Sequence, residues 1–511
     1  MNITKTVIFA ATCFMAACCA TPDNNDRGQN GQPDNSKDVV TYITSADAKN
    51  LFRKSTSDFA SIPSSSKNHV LFTDDPNAKQ VAGFGLAVTT ASCYNLLRMS
   101  QEDRTAFLTE MFSKEKVGSS LIRVSIGASD FCTKDEYTWC DTPGLENFAV
   151  HQEDRDLLFP VLKEIYAINP DVRIIASPWS CPRWMKCKMP NGNDWDANNF
   201  NIPVGVEVDN NSWTGGRLKP SCYGVYAEYF VKWIQTMQSE GFKIHAITMQ
   251  NEPLNPGNSM SMVMPWQDQK EFIKVLGPAL SDAGLSDVKI LLYDHNYNYD
   301  DKPKQDNYPL NIYADNEAYK WAAGSAWHNY GGNVSELDNI QTANPEKDIY
   351  FTEASIGEWN YDFSKCLLND FADIFLGTLS RGGRGVTLWN MMLDDKKGPY
   401  SPHDGSCKTC FGGVTIDSSN YKSIRKNSHW YNVAHASAVV KPGARMMNVS
   451  GYNAPSGVEL LMFRNPDNSI GTLVCNRSDS DQLLVFSGEG YYVNARVSAR
   501  SIASLLWAEK K

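Results

Sequence analysis

No run of basic residues occurs in the chain, and 58 acidic against 48 basic side chains leave a formal net charge of −10. Binding nucleic-acid phosphates calls for clustered Lys and Arg, so a nucleic-acid partner is not expected. The apolar stretch VIFAATCFMAA after Lys5 is too short for the ~20 residues of a membrane-spanning helix and has the length of a signal-peptide core. The glycines of a nucleotide-binding turn are missing as well. The first strand-like run carries Gly83, Phe84 and Gly85, with no further glycine at the offset that GxGxxG demands. Cys407 and Cys410 form a CxxC, but no second CxxC or His pair stands at zinc-finger spacing, so no metal is expected.

What the chain does have is globular: 511 residues, 42% hydrophobic and 21% charged, more than one hydrophobic core usually serves. The 13 Trp, 22 Tyr and 22 Phe exceed the needs of a core, and flat rings suit stacking on sugars. Small residues before a cysteine, Met15, Ala16, Ala17 and then Cys18, resemble a bacterial lipoprotein processing site, which would make Cys18 the lipidated N-terminus. Cys19 is the next candidate, and plain cleavage without lipid is the alternative. The signal segment is then 1–18. Residues 19–38, polar and low in complexity, form a flexible tether. An exported lipoprotein follows, membrane-anchored on the periplasmic or cell-surface side. In that setting the close pairs Cys132 with Cys140, Cys181 with Cys187 and Cys407 with Cys410 are candidate disulfides.

From about residue 80, short apolar runs alternate with longer amphipathic ones, the pattern of a parallel sheet wrapped by helices. Eight runs read as strands: QVAGFGLAV, SLIRVSIGA, VRIIASPW, KIHAITMQ, VKILLYD, AGSAWHNY, DIYFTEAS and GVTLWNMML. Between them, Tyr226, Tyr229, Phe230, Trp233, Ile234 and Met237 recur at three- and four-residue steps and predict a helix over 222–239. Ser100 with Asp103 reads as a helix cap with an acidic first turn. An α/β fold follows, a (β/α)8 barrel over 81–435, with an open doubly wound sheet as its rival. From about 440 the segments VELLMFRN, GTLVCNRS, QLLVFSG and ARSIASLLW are separated by turn residues, which predicts an appended antiparallel β-sandwich over 436–511. VVTYITS and HVLFT, within 39–80, are expected to add strands to it.

Strand ends of such a barrel converge on one rim. There the sequence places Asp130, Trp179, Asn251 and Glu252, His328 and Tyr330, Glu353, and Trp389. Each has a plain structural reading, Trp179 as packing, Asp130 as a helix cap, His328 as a buried imidazole. Together they suit a sugar pocket, with carboxylate and amide for hydroxyls and indole for stacking. MQNEP and FTEAS each end an apolar run, and two carboxylates on rigid strand ends are what a retaining glycosidase requires, Glu252 as acid/base and Glu353 as nucleophile.

GFGLAVTTAS, LIRVSIGASDF, ASPWSCPRWMK, MQNEP, WHNY, FTEAS and LWN, in this order from about residue 70 to the C-terminus, resemble glycoside hydrolase family 30, which includes glucosylceramidases and β-1,6-glucanases. The resemblance implies a (β/α)8 barrel fused to a β-sandwich, retention, and the same two glutamates. It also implies that Asp130, Trp179, Asn251 and Trp389 contact the sugar, and that Arg123, His328 and Tyr330 surround the nucleophile. No metal or organic cofactor is implied. GGRLKPSCYGVYAEYFVKWIQ and CKTCFGGVTID look more like bacterial β-1,6-glucanases, so the expected partner is a β-glucan or β-glucoside and the expected activity endo-β-1,6-glucanase. The alternatives are a glucosylceramidase or exo-β-glucosidase of the same family, or a non-catalytic surface glycan-binding lipoprotein.

Overall fold

A computed structural model describes residues 38–66, 68–188 and 207–509. The signal segment, the tether up to residue 37 and Cys18 lie outside the described residues. All eight apolar runs form strands: β1 (Gly83–Leu86), β2 (Leu121–Ser125), β3 (Arg173–Ser177), β4 (Ile244–Thr248), β5 (Lys289–Asn296), β6 (Ala322–His328), β7 (Asp348–Glu353) and β8 (Gly383–Leu388). Each pairs in parallel with the next from β2 to β8, and β8 pairs with β1. The ring closes between β1 and β2 through the parallel bridge of Ala87 with Arg123, where the Val88 N–H donates to the Arg123 carbonyl at 2.8 Å. The glycines of the GFG run serve this seam. A Cβ on Gly85 would stand 1.9 Å from the Leu121 carbonyl oxygen, so only glycine lets the two strands approach.

Closure decides for the barrel over the doubly wound sheet. Leu121, Ile175, Leu291 and Tyr350, with Ala82, Ala246 and Ala326 between them, fill the interior as one buried cluster, so one end of the barrel is plugged. The helices outside are those their periodicity predicts. Tyr223–Ser239 buries Tyr226, Tyr229, Phe230, Trp233, Ile234 and Met237, and Ser100 caps Gln101–Phe112 by accepting the Asp103 N–H at 3.1 Å.

The second part is a nine-stranded sheet, in the order Arg53–Ser57, Val39–Ser45, Ser501–Ala508, Ser469–Asn476, Val458–Arg464, Arg445–Ser450, His69–Asp74, Gln482–Gly488, Tyr491–Val497. It folds over a core that includes Val39, Val70, Met462, Val474, Leu484, Phe486, Leu505 and Trp507. Three expectations are corrected here. His69–Asp74 lies parallel to Gln482–Gly488, so the sandwich is not wholly antiparallel; the strand is supplied from ahead of the barrel, not by a hairpin. The boundary at 435/436 falls inside the helix Ser428–Val439, and the next strand starts at Arg445. That helix is buried on nearly every side and so lacks the polar face that would have marked it. Of the candidate disulfides only Cys407–Cys410 is formed. Cys132 and Cys140 are free, each thiol bonded to carbonyls of its own loop, Lys134 for one and Thr142 and Gly144 for the other. Cys181 and Cys187 are also free and buried, and Cys187 lies in a two-residue strand paired to Arg217 and Leu218.

Candidate active site

At the C-terminal rim the strands deliver their last side chains to one buried network centred on Arg123 of β2, whose guanidinium is fully enclosed. Its Nη1 donates to Glu353 Oε2 at the end of β7. Its Nη2 faces Asp294 Oδ2 at 2.7 Å, Asn251 Oδ1 at 2.8 Å and Ser177 Oγ at 3.1 Å. Asp294, in β5, also accepts from Thr248 and Thr352 at 2.7 Å each and meets His328 Nε2 at 3.1 Å. His328 reaches on with Nδ1 to Glu252 Oε1 at 3.3 Å. Glu252 Oε2 is held by the amides of Asn255 at 2.8 Å and Asn258 at 2.7 Å.

Local backbone irregularities aim these groups. The pairing of β5 with β6 shifts register between Tyr293 and His295, and that of β6 with β7 between Trp327 and His328. Glu252 and Asp294 adopt φ of 45° and 74°, unusual for non-glycine residues and of the kind that clusters at working sites.

The electrostatics follow from burial set against neighbouring charge. Burial works against the Asp294 carboxylate, but Arg123 and His328 outweigh it and hold the group below the ordinary range. Burial also disfavours the His328 cation, yet Glu353, Asp294 and Glu252 lift the imidazole to about 9. For Glu252, burial is overcome by His295, His328 and Asn255, which bring it down to about 2. Glu353 is raised by burial, with His328 and Arg123 opposing. Asp130, enclosed beside Glu353 and Glu252, is pushed well up. Glu252, His328 and Glu353 offer atoms within 4.8 Å of one another, a spacing a cation could bridge. Both ring nitrogens of His328 face carboxylates, Nδ1 that of Glu252 and Nε2 that of Asp294, which favours the imidazolium.

Around the charges stand the aromatic groups. Trp179 and Trp389 stack at 5.0 Å, with the Arg123 guanidinium 5.0 and 5.7 Å from their ring centres. They are only 2% and 3% exposed, which makes them a floor and not an open platform. Tyr330 donates its hydroxyl to Glu353 Oε1 at 3.0 Å and meets Ser355 Oγ at 2.9 Å. All nine residues singled out from the described part of the sequence, Arg123, Asp130, Trp179, Asn251, Glu252, His328, Tyr330, Glu353 and Trp389, thus fall in or against one cluster.

Residues 81–440 match the glycosyl hydrolase family 30 TIM-barrel domain. The chain belongs to glycosyl hydrolase family 30. Residues 443–505 match the beta sandwich domain of family 30. A curated relative, the endo-1,6-beta-D-glucanase BGN16.3 of Trichoderma harzianum, is 32% identical over 418 residues, 79% of either chain. The lysosomal acid glucosylceramidase of Mus musculus is 26% identical, covering 86% of this chain and 83% of its own. Among solved structures, the endo-beta1,6-glucanase BT3312 superposes with a TM-score of 0.85 at 43% identity, covering 92% of this chain and all of that one. As a family 30 protein the chain is a glycoside hydrolase with a barrel and a β-sandwich.

Within this family 30 site, sequence reading missed Asp294 and the residues that hold Glu252. Asp294 had a signal, since VKILLYD ends in it just as the neighbouring runs end in theirs. Asn255, Asn258 and His295 had none, because nothing in a sequence marks which loop residue turns back onto a strand end.

Proposed function

We propose that the protein is an endo-β-1,6-glucanase that cleaves with retention, with Glu252 as the acid/base and Glu353 as the nucleophile. One observation carries the reading: carboxylate oxygens of Glu252 and Glu353 lie within 4.8 Å of each other. That spacing suits the ~5–5.5 Å separation of retaining enzymes, whereas inverting enzymes need ~6.5–9.5 Å to admit a water. The β-1,6 linkage is supported by the likeness to two proteins named as endo-1,6-glucanases, at 32% and 43% identity.

In this mechanism Glu353 attacks the anomeric carbon while Glu252 gives a proton to the departing oxygen; water, deprotonated by Glu252, then releases the sugar. Arg123 and Tyr330 both donate to Glu353, and such bonds favour the carboxylate over the acid. In the empty site His295, His328 and Asn255 hold Glu252 low while burial raises Glu353, the reverse of their roles in this mechanism, so Glu252 has to take up its proton as the sugar enters. Asn251 would hold the sugar 2-hydroxyl, a contact that strengthens as positive charge develops on the ring.

The test is incubation with pustulan, laminarin and an aryl β-glucoside, beside Glu353→Gln. A ladder of β-1,6-linked oligosaccharides released in the β-anomeric form supports the proposal. Glucose alone would favour an exo-acting or glucosylceramidase-type enzyme, and binding without release would favour a glycan-binding lipoprotein. We further infer that Cys18 carries a lipid that anchors the protein on the periplasmic or cell-surface side, a reading supported by the residues before it. Cys18→Ser should then move the protein from the membrane fraction to the soluble one.

A further inference from the structure

Among the described residues only two aromatic side chains are well exposed, Tyr330 at 45% and Trp359 at 54%, and they follow the adjacent strands β6 and β7. Tyr330 is engaged with Glu353. Trp359 has no part in the chemistry above. We propose that Trp359 is a sugar-stacking platform outside the pocket, binding a further glucosyl unit of a β-1,6-glucan chain whose neighbouring unit is being cleaved.

The ring is held in a defined place. Ile356–Gly357 pairs antiparallel with Cys410–Phe411, the Glu358 N–H donates to the Thr409 carbonyl at 2.9 Å, and Lys397 ties down the Glu358 carboxylate at 2.6 Å. Gly357 makes room for it: a Cβ there would stand 1.9 Å from Cζ3 of the indole, so the six-membered ring occupies the space a side chain would fill. The partner strand is closed on itself by the Cys407–Cys410 disulfide. The segment before the disulfide also touches the pocket: the Ser401 N–H donates to the Asp130 carbonyl at 2.8 Å, and the Cys407 backbone amide lies near enough to the Asp130 carboxylate to favour its ionised form. Trp359 stands six residues beyond Glu353, on the segment that leaves β7 at the rim of the barrel.

A glucan chain is the occupant that this surface fits. The apolar face of a pyranose stacks on an indole, and the exposed Asn360 next in the chain can meet its hydroxyls. Trp179 and Trp389 are too enclosed to hold more than the unit inside the pocket. Cleavage within a chain needs grip on more than that one unit.

The inference rests on the glucanase reading, and two measurements separate the two. For Trp359→Ala, the ratio of kcat/KM on pustulan to kcat/KM on an aryl β-glucoside should fall about tenfold, and Trp359→Phe should restore most of it. Equal ratios, or a parallel fall on both substrates, would overturn the platform. Affinity electrophoresis in pustulan gels compares Glu353→Gln with Glu353→Gln/Trp359→Ala and needs no turnover. Loss of retardation in the double variant supports the platform and unchanged retardation overturns it, even if the wild type releases nothing from pustulan and the glucanase reading fails.

Discussion

Asp294, which the sequence reading passed over, pairs with both Arg123 and His328. It faces Arg123 and His328 with no exposed surface and accepts hydroxyl hydrogen bonds from Ser177, Thr248 and Thr352. Removing one partner of a buried ion pair leaves the other charge uncompensated, at about 3–5 kcal/mol. Asp294→Asn, nearly the same shape, should therefore lower unfolding free energy by about that much in a urea titration, and should depress hydrolysis by letting Arg123 and His328 turn away from their partners. His328 makes a pH statement. Its folded pKa of about 9 exceeds the ordinary 6.5, so its contribution to stability is complete below about pH 6.5 and disappears as pH rises through about 9. Melting temperatures of wild type and His328→Gln should converge across that interval, and a constant difference would place the proton elsewhere. Asp294 runs the other way: its pKa is lowered, so its contribution is present above the ordinary carboxylate range and is lost on acidification. The two glutamates were legible because each closes a buried run, Glu353 as the last residue of β7 and Glu252 four residues past the end of β4. The asparagines that hold Glu252 were not, because their role exists only once the loop after β4 has turned back.

At the level of elements, the barrel was legible because fully buried parallel strands read as short continuous apolar runs between turns. Its seam was half legible: the same glycines argued against nucleotide binding, but their service to the β1–β2 contact needed coordinates. Cysteine spacing said least, since three close pairs looked alike and one alone is bonded. That bond closes a loop of four residues, for which chain entropy gives about 2 kcal/mol. The double change Cys407→Ser/Cys410→Ser should lower stability by no more than about that amount. Its larger effect should be on substrate binding, because the Cys407 backbone amide lies beside the Asp130 carboxylate. The expected result is a raised KM on glucan with kcat nearly kept, reproduced in wild type by a reducing agent in the assay.

Barrel and sandwich are joined through the helix Ser428–Val439, in which eleven of twelve residues are buried. His435 binds Thr44 with Nε2 at 2.8 Å and Ser504 with Nδ1 at 2.7 Å, so one imidazole ties this helix to two strands of the sandwich, one from each end of the chain. Asn465 adds a bond to the Val439 carbonyl at 2.9 Å, and Phe52 packs edge-on against both Trp430 and His435. Removing the sandwich would bare that face of the helix, an apolar patch of the kind that drives association. A fragment of residues 81–440 should therefore aggregate on expression and show no cooperative melt, while 38–511 should stay monodisperse and keep full hydrolysis. A smaller change probes the same joint. Thr44→Val leaves His435 Nε2 without its partner in a buried setting, which costs about 1–3 kcal/mol. Thr44, His435 and Ser504 share no hydrogen bond with the network around Arg123, so kcat below the melting transition should be unchanged; a fall in kcat would mean that the sandwich shapes the pocket directly.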